Sequence, residues 1–91
     1  MAEVGGDLET LRNLHKGLDE HAQKALEFKS ALDGYVNQAV WKGANADKFR
    51  SSWEEFRPHF DKLHHALKEG SDGVRVQHNN IAAATGESAS I

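Results

Sequence analysis

Two long stretches of apolar residues spaced by three and four positions are interrupted once, at Val40-Trp41-Lys42-Gly43, and that interruption decides what the chain can fold into. Gly43 has no Cβ and can take a left-handed backbone that ends a helix. Trp41 brings enough apolar area to pin a corner against an opposing helix. The spacing predicts an all-α fold, an antiparallel helix-turn-helix hairpin that reverses at 41–44.

The first helix is expected to start at Asp7, whose carboxylate can accept from free backbone amides, and to run to about Val40. Leu11, Leu18, Ala25, Leu32 and Ala39 recur every seven residues along it. Leu8, Ala22 and Val36 flank that row on one side, and Leu14, Phe28 and Tyr35 on the other. Glu9, Arg12, Lys16, Glu20, Lys24 and Glu27 mark the opposite, wet face. In the second helix Ala46, Phe49, Trp53, Phe56, Phe60, Leu63, Leu67, Gly70 and Val74 form a seam, with Asn45 or Gly43 as its cap. Pro58 predicts a kink, and Gly70-Ser71-Asp72-Gly73 is a stop signal that the apolar register outlives through His78 and Ile81. The organisation expected is a flexible start at 1–6, a hairpin over 7–81, and a flexible, small-residue tail at 82–91.

Three parallel apolar rows on one helix are wider than a single antiparallel neighbour can cover. Two hairpins are therefore expected to pair into a four-helix bundle, with Leu11, Leu14, Leu18, Phe56, Phe60 and Leu63 as the pairing surface.

Composition removes several classes of function. A net charge of −3 gives no bulk positive field to gather phosphates. The cations of the second helix (Lys48, Arg50, Arg57, Lys62, Lys68) are interrupted by acids. A helical DNA-binding regulator or nucleoid-type protein is the competing reading, and it would need shorter helices at a steep angle. No run approaches the roughly 18 apolar residues of a membrane span. Without cysteine there is no thiolate chemistry. Met1 to Asp7 has neither the basic start nor the apolar core of a cleavable signal peptide.

The polar residues do not assemble into a reaction centre. Glu54 and Glu55 project about 100° apart on a helix and cannot flank one bond. Gly70 and Gly73 lack the Lys-Ser/Thr and the strand of a phosphate loop. His15 with Asp19, and His65 with Glu69, share a helix face, but two ligands do not close a metal site. No enzyme activity, cofactor or metal is expected.

The Trp41-Lys42-Gly43 corner at mid-chain, Ala46 and Phe49 after it, and a helical length near one hundred residues resemble the WXG-hundred family, the early-secreted-antigen-like substrates of bacterial type VII secretion. The resemblance implies a hairpin that pairs with itself or a paralogous WXG-type protein. It implies export in folded form from the cytoplasm to the outside by a membrane ATPase, without cleavage, to act by protein–protein binding as substrate, chaperone-like partner or effector component. In that family the Trp-x-Gly corner is half of the export signal, which falls on Trp41 and Gly43. The other half, a C-terminal Tyr-x-x-x-Asp/Glu, has no match, since Tyr35 precedes the corner and Ala82 stands four residues after His78. A looser pattern of apolar, acidic, apolar and histidine positions resembles Leu67, Val74 and His78, with Ser71 at the acidic place. The chain either uses that looser signal or travels on a partner that supplies the tyrosine.

Overall fold

The computed structural model describes residues 5–86 and 90–91 and contains, among them, three helices and no strand. α1 spans Leu8–Gln38, α2 Ala44–Phe56 and α3 Pro58–Ala84. α1 packs along α3, with α2 continuing the second arm, so the architecture is an all-α hairpin.

Local chemistry sets the ends. Asp7 is extended and its Oδ1 accepts from the Thr10 amide at 2.8 Å, the N-cap that the sequence offers. α1 stops at Gln38, short of Val40, where Ala39 turns extended at φ −67° and ψ 124°. Gly43 does not end α1 as expected. It opens α2 instead, at φ 117° and ψ 178°, a backbone region essentially reserved to glycine. Asn45 lies inside the first turn of α2 rather than capping it.

At the predicted kink the second arm divides. Arg57 keeps helical dihedrals, and Pro58 becomes the first residue of α3, where a missing amide leaves no bond unmade. The Phe60 amide bonds the Arg57 carbonyl at 3.1 Å, a three-residue step that tightens the junction. The Gly70–Gly73 stop signal is overridden, and α3 passes through it to Ala84, beyond Ile81. Two glycines cost helix propensity of about 1 kcal/mol each, but Ser71 between them is fully buried and bonded to α1, and His78 and Ala82 are buried further on. Beyond Gly86, Ile91 returns to α3, its amide donating to Asn79 Oδ1 at 2.8 Å and its carbonyl accepting from Nδ2 at 3.0 Å. Residues 1–4 and 87–89, within the expected flexible ends, lie outside the described residues.

The molecule is a rod of 64 × 26 × 13 Å with a Cα radius of gyration of 19.8 Å, against about 12 Å for a compact chain of this length. Its accessible surface is 6797 Å², roughly 1,500 Å² more than a compact monomer of this mass exposes. Two arms side by side make a single layer, and a single layer leaves an outer face on each helix without a neighbour.

Candidate interaction surfaces

Between the arms runs a polar ladder. Near the corner, Asp33 takes the Arg57 fork with both oxygens, at 2.7 Å from Nε and 2.8 Å from Nη2. Its Oδ1 also accepts the Trp53 indole N–H at 2.8 Å. One turn along, Lys29 pairs with Asp61 at 2.8 Å. His64 Nδ1 then donates to the Ala22 carbonyl at 2.8 Å, since a carbonyl can only accept. At the far end Asp19 Oδ1 accepts from the Ser71 hydroxyl at 2.6 Å and from Lys68 at 3.0 Å. With its one proton spent on Asp19, Ser71 Oγ must accept from His15 Nδ1 at 2.8 Å. Ala22 and Ala25 sit buried in the middle of this seam, small enough to let the backbones approach.

These pairs set the charge of the seam. The Ser71 hydroxyl and then Lys68 hold Asp19 below the usual carboxylate value; the Arg57 fork does so for Asp33, and Lys29 for Asp61. The same Asp33 contact raises Arg57. Asp19, Asp33 and Asp61 therefore stay ionised at neutral pH with their partners already in place.

The outer flank is the opposite in character. Leu14, Gly17, Leu18, Ala25, Phe28, Leu63 and Leu67 line a groove of about 540 Å³ between α1 and α3. Phe28 is 61% and Tyr35 72% exposed along the same row of α1 as Leu14. Of the residues expected to pair hairpins, Leu14, Leu18 and Leu63 converge on this groove, while Leu11 is half-buried near Gly6. Phe56 is exposed and meets Phe60 edge-on at 5.5 Å, and Phe60, half-buried, also touches Trp53 at 5.9 Å. Leu67, expected in a C-terminal signal, also lines the groove. Val74 is half-buried and His78 fully so. Through Nδ1 His78 donates to Asn79 Oδ1 at 3.0 Å.

At the corner, Trp41 is not a buried plug. It is 45% exposed and leans on Phe49, ring centroids 5.8 Å apart, while Gly43 holds the turn that only a glycine tolerates. Trp41 and Gly43 are thus brought together at the closed end of the hairpin.

A half-exposed Trp-Lys-Gly corner between two long antiparallel arms is the geometry to set beside known proteins. The family model "Proteins of 100 residues with WXG" matches residues 4–84. The chain belongs to the WXG100 family. WXG100 proteins are small helical secreted proteins of the type VII kind, are not known as enzymes, and pair with other WXG proteins. No curated protein and no solved structure matches the chain significantly. Among the described residues no three His, Cys, Asp or Glu side chains gather to hold a metal, and no helix is long and apolar enough to cross a membrane. His15 and Asp19, whose spacing puts them on one helix face, are spent on Ser71 and Lys68 within this WXG100 hairpin.

The sequence reading missed the ladder. Its signal was present in α3 and at its entrance, where Arg57, Asp61, His64, Lys68 and Ser71 step by four and three along a face that also had to meet α1.

Proposed function

We propose that this chain is a non-enzymatic, pair-forming substrate of a bacterial type VII secretion system. It leaves the cytoplasm folded and works outside the cell by binding other proteins. Its partner in the pair is a second copy or a paralogous WXG-type protein, and the pairing surface is the outer flank around Leu14, Leu18 and Leu63, with Phe56, Phe60 and Leu11 beside it. The secretion ATPase reads the Trp41 and Gly43 corner, and Leu67, Val74 and His78, the last of them buried in the hairpin, stand at the place of the C-terminal element.

One observation supports this most. About 1,500 Å² of surplus surface per chain amounts to about 3,000 Å² over two chains, within the range of obligate interfaces. The exposed Leu14, Phe28, Tyr35, Phe56 and Leu63 are the part of that surface that favours a cover. Light scattering on the purified chain is expected to give twice 10.1 kDa if it pairs with itself. A stable monomer of 10.1 kDa at high concentration, refusing any WXG-type partner, would sink the reading. Trp41→Ala is expected to lower export while leaving the molar mass unchanged, and undiminished export removes the corner from the signal.

A further inference from the structure

The corner is held from outside itself. α1 carries no basic residue in its last turn, and the chain leaves it extended at Ala39. A helix end of this kind presents carbonyls without intrahelical donors and a partial negative charge. Arg50, in the second turn of α2, supplies what α1 lacks: Nη2 donates to the Ala39 carbonyl at 3.2 Å and Nη1 to the Trp41 carbonyl at 2.8 Å.

One planar fork therefore grips two carbonyls that bracket Val40 and end on Trp41. Fixing the carbonyl of Trp41 and that of Ala39 fixes the path of the chain into the Trp41 Cα, and with it the direction of the side chain. The ring comes to rest on Phe49, the neighbour of Arg50 in α2. Two adjacent residues of one helix thus hold Trp41, one by its backbone and one by its ring. Val40, 96% exposed, is carried on the same clamped segment.

We infer that Arg50 is the positioning residue of the export corner: it presents Trp41 to the export machinery in one fixed orientation. This rests on the reading that Trp41 is part of the export signal. An exposed indole on a loose five-residue connection would lose freedom on docking, and that ordering cost would weaken recognition. Lysine is a poor substitute because an ammonium is a point charge and cannot span both carbonyls in one plane.

The full-length protein labelled with 5-fluorotryptophan gives two fluorine resonances, one for each indole, and Trp41→Phe assigns them. In Arg50→Gln the Trp41 resonance is expected to move towards its unfolded-chain position and sharpen, while the Trp53 resonance, anchored on Asp33, holds still. Molar mass stays unchanged. Secretion from a host with a type VII system is expected to fall about fivefold, with Arg50→Lys in between on both readouts. A Trp41 resonance that does not move in either variant overturns the clamp, whatever export does. A resonance that moves while secretion stays full overturns the positioning role. Full secretion of Trp41→Ala instead brings down the export-corner reading, and the fluorine shifts still decide whether Arg50 holds the indole.

Discussion

The seam between the two arms and the flank outside them are built from the same two helices, yet they invert the usual distribution of residue types. Inside, where a hairpin ordinarily buries leucine, lie Asp33 with Arg57, Lys29 with Asp61, and Asp19 with Lys68 and Ser71, around buried Ala22 and Ala25. Outside, Leu14, Phe28, Tyr35, Phe56 and Leu63 stand exposed. A polar ladder specifies register, because sliding one arm by a turn unpairs every rung and sets like charges opposite each other. It contributes little net burial energy, since exposed ion pairs trade one set of charge contacts for another. The flank has the reverse properties: large apolar area and little directional information. In the proposed pair, the inner seam decides how the arms align, and burial of the outer flank supplies most of the stability.

The sharpest way to break this division is to place charge on each side and compare. Leu14→Glu with Leu63→Glu puts carboxylates in the groove, and burying unpaired charge there costs several kcal/mol. Pairing is expected to weaken by roughly a thousandfold or more, with light scattering falling to 10.1 kDa. The charge swap Lys29→Asp with Asp61→Lys, which alters as many residues on the inner seam, is expected to leave the molar mass alone. If the flank variant stays paired, the flank is not the pairing surface. If the inner swap dissociates the pair, the division itself fails.

Acid tests all carboxylate rungs at once. Asp19, Asp33 and Asp61 are held below their ordinary value of 3.8 by Ser71 and Lys68, by Arg57, and by Lys29 respectively. A carboxylate whose folded value is depressed contributes stability that is complete above its unfolded value and is lost as pH falls through the folded one. The melting temperature is therefore expected to hold down to about pH 4 and then to decline through the acid range below 3.8. Asp33→Asn removes one contributor and is expected to flatten that decline while lowering stability at neutral pH. A melting temperature indifferent to pH between about 4 and 2 would show that the rungs do not differ between folded and unfolded chain.

Much of this was legible in the residues. The Asp7 cap, the hairpin, and the surplus of apolar rows on α1 follow from spacing alone: the row of Leu8, Ala22 and Val36 turns inward, and the row of Leu14, Phe28 and Tyr35 stays out. Gly43 was read as ending one helix or capping the next, and it does the second, because φ 117° with ψ 178° is an extended glycine conformation rather than a helix-ending one. Gly70 and Gly73 were read as a stop, and the buried Ser71 between them carries the helix through. Neither outcome is written in local propensity. The run through Gly70 and Gly73 depends on Ser71 meeting α1, residues far apart in sequence, as the ladder does, and the Arg50 clamp, though it spans only a short stretch of chain, is a side-chain contact that spacing does not report. Periodicity names the face a residue occupies but not the partner it meets there.

Ser71 gives the smallest and most diagnostic test of the ladder. Its hydroxyl donates to Asp19 and accepts from His15, and the residue has no exposed surface. Ser71→Ala removes both bonds, but neither partner is left empty: Lys68 still reaches Asp19, and the Ser71 backbone carbonyl still accepts from His15 Nδ1 at 3.0 Å. The expected loss is about 1 kcal/mol, reduced by the better helix propensity of alanine, and the melting temperature is expected to fall by roughly 2–6 °C. Ser71→Asp, which restores an acidic residue at this place, sets a second carboxylate against Asp19 in a buried position and is expected to cost more than the alanine change. In an Asp19→Asn background that excess is expected to shrink, since the like charge is gone. If the aspartate variant is as stable as the alanine one in both backgrounds, Asp19 is not what makes this position prefer a hydroxyl. If the excess appears only while Asp19 is charged, serine stands here because the rung already holds its one permitted carboxylate.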